Sequence, residues 1–277
     1  MSLAISIGKH VLTGVDFAPQ DDVRGIVQVW EPPRNAAYVV ACDPSYGITG
    51  WNRALRTEED EKTDNTAVQV IRCGNGRGPD VQVAEYAGPI DAEDAATVTN
   101  FLGRMYGGAS DEGQALAIVE VQPGPGLLTQ RQLINHFGYS NLHVWQQLDQ
   151  MVIKPTLSYG WYSSRQSRQA LWIRGTRHIN QRKIILNSPW LIEEMTDCVL
   201  DNFLNFTARA QWGSHDDRVV ALLMGIWAAN EWNWENAPED AGSPVNENAP
   251  NWQASDISAE EMETAWNERF SSIHGDM

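Results

Sequence analysis

Two short apolar runs, each ending in an acid and followed by a Pro/Gly loop, constrain this 277-residue chain more than any other feature. Ala36-Ala37-Tyr38-Val39-Val40-Ala41-Cys42-Asp43 leads into Pro44 and Gly47, and Ala115-Leu116-Ala117-Ile118-Val119-Glu120 leads into Pro123-Gly124-Pro125-Gly126. Unbroken apolarity over so short a run, bounded by turn formers, is the pattern of a strand buried on both faces. Such strands need helices above and below them. Helical spacing is found over Asp91–Tyr106 (Ala95, Val98, Phe101, Leu102, Met105), Leu127–Phe137, Ser164–Arg174, the segment opened by Ser188-Pro189 with Glu193 and Glu194 in its early turns, and the strongly apolar Val219–Trp232. Further strands are expected at Thr66–Cys73, Val81–Ala87 and Leu142–Gln146, the first two joined by the turn Gly74 to Pro79. Strands alternating with helices after an initial meander specify an α/β fold with a mixed central sheet flanked by helices.

Residues 36–234 read as one main domain, preceded by a lead-in segment, 1–35, holding the alternating stretch Ile26–Trp30 before Pro32-Pro33. Residues 235–277 read as an acidic, mostly disordered tail, closed by a short helix that starts at the capping pattern Ser258-Ala259-Glu260-Glu261 and carries Met262, Trp266 and Phe270. No apolar run approaches the roughly 20 residues of a membrane span, and Met1 to His10 lacks a signal-peptide pattern, so a cytoplasmic protein is expected. Cys42, Cys73 and Cys198 are widely spaced within apolar runs and read as reduced packing residues.

A carboxylate at the mouth of a buried parallel strand lies where open α/β sheets bind ligands. Taken singly, Asp43 or Glu120 serves equally well to solvate a loop. With the two strands side by side and the Val219 helix packed across them, Asp43, Glu120 and one of Asp216 and Asp217 converge at the helix start. Acids so close repel one another, and a hard divalent cation relieves the conflict. An all-oxygen donor set without Cys or clustered His suits Mg²⁺ or Mn²⁺, and two such ions roughly 3.5–4 Å apart support phosphodiester hydrolysis. Asp64 reads either as a fourth ligand or as a turn-forming residue, and His215 either as an auxiliary group at a phosphate or as a local cap.

The formal net charge of -16 argues at first against a nucleic-acid partner, but its distribution does not. From Glu231 onward 11 acids face the single base Arg269, so residues 231–277 carry -10 and the first 230 residues only -6. Lys154, Arg165, Arg168, Arg174, Arg177, Arg182 and Lys183 fall in a stretch with no acid, a local +7 suited either to a phosphate backbone or to a solvated helix face. Tyr159, Trp161, Tyr162 and Trp172 interleave with them as core or base-stacking groups. No phosphate-cradling GxxxxGK[ST] loop occurs, which excludes that route to ATP hydrolysis.

Tyr38 to Gly47, Asp64-Asn65-Thr66-Ala67, Val83 to Gly88, Ala117-Ile118-Val119-Glu120, the turn Gly138-Tyr139-Ser140-Asn141 and His215-Asp216-Asp217-Arg218-Val219-Val220-Ala221-Leu222, in that order, resemble the nuclease domain of phage terminase large subunits. The resemblance covers residues 26–232. It implies a ribonuclease H-like fold and a metal-dependent endonuclease that cuts concatemeric double-stranded phage DNA during genome packaging. Asp43, Glu120 and Asp217, with Asp216 beside it, match the family's metal-binding acids. Implied partners are viral DNA, the portal protein, the small terminase subunit and an N-terminal ATPase domain. That domain is not in this sequence, so a fragment or split gene product is expected, acting at the assembly site in the host cytoplasm and not carried in the virion. The loop Ile48 to Thr63 and the acidic tail depart from the family pattern. A Holliday-junction resolvase or another nuclease of the same superfold would align similar acids, and a catalytically silent portal or capsid docking module would use them only for solvation. An actin-like or sugar-kinase ATPase would need a second glycine-rich phosphate loop, which is missing.

Overall fold

A computed structural model describes residues 4–7, 10–13, 16–19, 26–47, 65–74, 78–108, 110, 113–121, 124–147, 156–199, 209–210 and 216–231. In chain order the elements are β1 Ala4–Ile7, β2 His10–Thr13, β3 Asp16–Pro19, β4 Ile26–Val29, β5 Tyr38–Asp43, β6 Thr66–Arg72, β7 Asp80–Gly88, α1 Ala92–Met105, β8 Leu116–Val119, α2 Pro125–Asn135, β9 Val144–Gln147, β10 Thr156–Tyr159, α3 Arg165–Asn180, β11 Ile184–Ile185, α4 Pro189–Asp197, β12 Cys198–Val199, β13 Arg209–Ala210 and α5 Asp217–Glu231.

The chain forms a mixed α/β fold. The main sheet runs in the order β3-β2-β1-β4-β7-β6-β5-β8, with the short β11 alongside β7. β5, β6 and β7 are an antiparallel meander, while β8 joins β5 in parallel. The segment before residue 36 is continuous with this sheet: β4 pairs antiparallel with β7 through Gln28 and Val29, and β1 runs parallel to β4.

Strand periodicity divides the core in two. Tyr38, Val40 and Cys42 of β5 pack with Ala117 and Val119 of β8 against Ala95, Val98, Phe101 and Leu102 of α1. The alternate residues Val39, Ala41 and Ile118 face α5, which is apolar and buried around most of its circumference from Val219 to Ala229. Asp43 continues the parity of Val39 and Ala41, and Glu120 that of Ile118, so both acids belong to the α5 face. That parity positions the site.

Local chemistry starts the helices. Asp91 caps α1 by accepting from the backbone N–H groups of Glu93 and Asp94, and Ser164 and Ser167 form a reciprocal capping box at α3. Helix α3 runs on to Asn180 rather than ending at Arg174. Gly175 lowers intrinsic propensity there, but a Cβ at this position would lie 2.1 Å from Leu223 Cδ2, so glycine is what lets α3 approach α5. Tertiary packing overrides the propensity. No helix among the described residues is long and apolar enough to cross a membrane.

Candidate functional site

The β5–β8 register pairs Cys42 with Val119, and the Glu120 N–H donates to the Cys42 carbonyl at 2.9 Å, so Asp43 and Glu120 are neighbours at the ends of adjacent parallel strands. Backbone packing fixes Glu120 from behind. Gly126, in the first turn of α2, would place a Cβ only 1.9 Å from the Glu120 carbonyl oxygen, and this requirement accounts for a glycine in the Pro/Gly loop. Beyond Asp43, the Ser45 N–H donates to Thr66 Oγ1 at 3.0 Å, tying that loop to β6.

Asp217 supplies the third carboxylate from the start of α5. Its Oδ2 accepts the Asn65 N–H at 2.9 Å, and its charge bears on Asp43. The Asp216 charge bears on Cys198, and the Asp216 carbonyl accepts the Val220 N–H at 2.8 Å. Of the pair, Asp217 is the one whose charge is felt at Asp43. Asp43 and Glu120 are both buried, at 9% and 6% exposure, too little water to screen their charges. Burial first, then the Glu120 charge and a hydrogen bond with Glu120, then Asp217, hold the Asp43 carboxyl well above its ordinary range, opposed by Arg168. Arg168 reaches Glu120 Oε1 at 3.6 Å.

All the donors are oxygens, as a hard divalent cation requires, and they arrive from three elements. Among the described residues no three His, Cys, Asp or Glu side chains are arranged so that they could hold a metal ion without moving. An ion here would compete with Arg168 for Glu120 and draw Asp217 inward. Cys42, Cys73 and Cys198 are free thiols held up by burial, Cys42 and Cys198 to about 12, so they are poor nucleophiles and poor metal ligands.

The basic stretch does not form one patch. At about 100° per residue along α3, Arg165 and Arg168 share a face, while Arg174 and Arg177 lie on the other side. Arg174 is held by Glu231 at 3.3 Å and stacks 4.4 Å above the Trp227 ring; His143 Nε2 also reaches Glu231, at 3.1 Å. Arg177, Arg182 and Lys183 are exposed beyond it, toward the end of the helix. Trp161 is fully buried against Trp227, whereas Tyr159 and Tyr162 are exposed. Asp64, His215, Lys154 and the tail 235–277 lie outside the described residues.

A second polar group went unmarked in the sequence. Gln69, Gln82 and Glu85, buried at mid-strand, lie beneath the start of α5. Arg218 Nε donates to Glu85 Oε1 at 3.0 Å, Arg218 Nη1 to Glu194 Oε2 at 3.2 Å, and the Arg218 N–H to Glu194 Oε1 at 2.8 Å. Burial lifts the Glu194 carboxyl to about 7, with Arg218 opposing the rise. Polar residues interrupting otherwise apolar strands at positions 69, 82 and 85 were the available signal. The chain matches no family model and no curated protein.

Proposed function

We propose that this chain is a divalent-metal-dependent DNA endonuclease of ribonuclease H-like type, the nuclease part of a viral genome-packaging motor. The observation that carries the reading is the convergence of Asp43, Glu120 and Asp217 from two adjacent parallel strand ends and the start of the helix packed over them. The order of elements, an antiparallel three-stranded meander, a helix, then a strand returning parallel to the first, supports the fold assignment. The motif resemblance supports the packaging role and, with it, the proposed partners: double-stranded viral DNA, a portal, a small terminase subunit and a separate ATPase domain.

In this reading Asp43, Glu120 and Asp217 hold Mg²⁺ or Mn²⁺. Bound ions of this kind lower the pKa of an attacking water and stabilise a leaving 3′ oxygen. The protein's part is placement. Paired strand ends fix Asp43 and Glu120, the Asn65 N–H orients Asp217, and burial keeps bulk water from screening Asp43 and Glu120. Arg168, beside Glu120, and Arg165 on the same helix face contact the DNA backbone without reading sequence. Arg174 contributes to the packing of α3 on α5 rather than to phosphate binding.

Incubating the protein with supercoiled plasmid in Mn²⁺ tests the proposal. Nicking and linearisation that chelator abolishes are expected. Cutting undiminished by chelator, or none at all in Mn²⁺ and Mg²⁺, overturns it.

A further inference from the structure

We propose that Arg218 is a positioning residue for Asp217, clamped by Glu85 and Glu194 so that the start of α5 has one permitted placement over the acidic site. The inference rests on the nuclease reading and deepens it.

Arg218 follows Asp217 directly, and the two side chains are held by different partners: Asp217 by the Asn65 N–H, Arg218 by the polar group beneath the helix. That group is itself held by hydrogen bonds from β6, β7 and the start of α4. Gln69 Nε2 donates to Glu85 Oε2 at 2.8 Å, Gln82 Nε2 to Gln69 Oε1 at 2.8 Å, Ser188 Oγ to Glu85 Oε1 at 3.0 Å, and the Asn187 and Ser188 N–H groups to Gln82 Oε1 at 2.8 and 2.9 Å. Ser188 also caps α4, the helix that carries Glu194. Arg218, Glu85 and Glu194 keep only 12%, 2% and 6% of their side-chain surface exposed.

Adhesion alone does not require such a network, because α5 buries apolar residues from Val219 onward and a buried ion pair gives little net stability over apolar packing. A guanidinium fork does something apolar packing cannot do. It fixes both rotation and translation, because its planar donors engage two carboxylates in set directions. Glu194 additionally accepts the Arg218 backbone N–H, one of the groups a helix start leaves without an intrahelical partner. A helix allowed to turn or slide would carry Asp217 away from Asp43 and Glu120. Displacements of about 1 Å at a reacting site are enough to lower rates on the order of a hundredfold.

The test compares wild type, Arg218→Lys and Asp80→Asn as the full chain. Lysine keeps the charge and loses the fork. Asp80→Asn perturbs a different buried carboxylate, the one hydrogen-bonded to His178 at 2.9 Å, and serves as the control for ordinary destabilisation. Without metal, hydrogen exchange at the Asn65 amide, whose acceptor is Asp217, is expected to speed up about tenfold in Arg218→Lys while the β6 core amides of Val68 and Val70 hold their rates. With Mn²⁺, kcat for plasmid cleavage is expected to fall about tenfold and the Mn²⁺ midpoint to rise, with KM for DNA little changed, while Asp80→Asn keeps wild-type values. Wild-type Asn65 exchange and kcat in Arg218→Lys, or equal losses in both variants, overturn the inference and leave the nuclease reading standing. Wild-type protein that neither binds Mn²⁺ nor cleaves refutes both.

Discussion

Replacing Asp43 with asparagine should stabilise the metal-free protein while abolishing its response to Mn²⁺. Burial first, then the Glu120 charge, hold the Asp43 carboxyl above its ordinary range; like charges about 4 Å apart repel by ~4 kcal/mol at an effective dielectric constant near 20. The sign follows from linkage. An unfolded aspartate ionises near pH 4 and folded Asp43 well above that, so within this window the folded state holds a proton the unfolded chain has released, and stability falls as pH rises. Each pH unit of the window costs about 1.4 kcal/mol, and the Arg168 charge shortens the window. Asparagine has no proton to lose and still offers Glu120 a donor. Metal-free Asp43→Asn should therefore be more stable than wild type near pH 7.5, with a higher Tm, and the difference should vanish near pH 4. Calorimetric melts in chelator across that pH range read this directly. Added Mn²⁺ at about a hundred times Kd should then raise wild-type stability by ~2.7 kcal/mol and the variant's by little. A variant less stable than wild type without metal near pH 7.5, or one with an undiminished Mn²⁺ gain, would refute the reasoning.

Two other perturbations separate parts of the account. Replacing Arg165 and Arg168 with alanine should flatten the slope of log DNA affinity against log salt by about one to two, whereas Arg174→Ala, already paired with Glu231, should leave the slope unchanged and lower Tm; equal slopes for both variants would return Arg174 to the DNA surface. Glu194, raised to about 7, contributes stability that is complete below about 4.5 and lost as pH rises through 7, so Glu194→Gln should flatten that stretch of the stability–pH curve, and an unaltered slope would assign the dependence to other groups.

The acid-bearing strands were legible because burial on both faces leaves an unmistakable apolar run, and the period of two then assigns Asp43 and Glu120 to a face. Helix α5 was legible for the same reason. Strand β9 was expected two residues early, at Leu142–Gln146, whereas the short β1 to β3, β10 and β11 were not read, since so few residues without an unbroken apolar run carry too little pattern to register. Gln69, Gln82 and Glu85 were missed because a polar residue in a strand ordinarily signals a solvent-facing position, and only the three-dimensional arrangement reveals Arg218 above them. The basic stretch shows the converse. Its charge was legible along the chain, but the partner that occupies Arg174 lies 57 residues away, and helical rotation splits the remaining arginines between faces.

The central claim is that Asp43, Glu120 and Asp217 form one divalent-cation site. Calorimetric titration of Mn²⁺ into wild type and into Asp43→Asn, Glu120→Gln and Asp217→Asn tests it most directly. If the three acids act together, wild type binds Mn²⁺ and each single substitution weakens that binding by at least about tenfold, the loss expected when a charged oxygen ligand is removed. Wild-type affinity retained by any one of the three variants would contradict the claim.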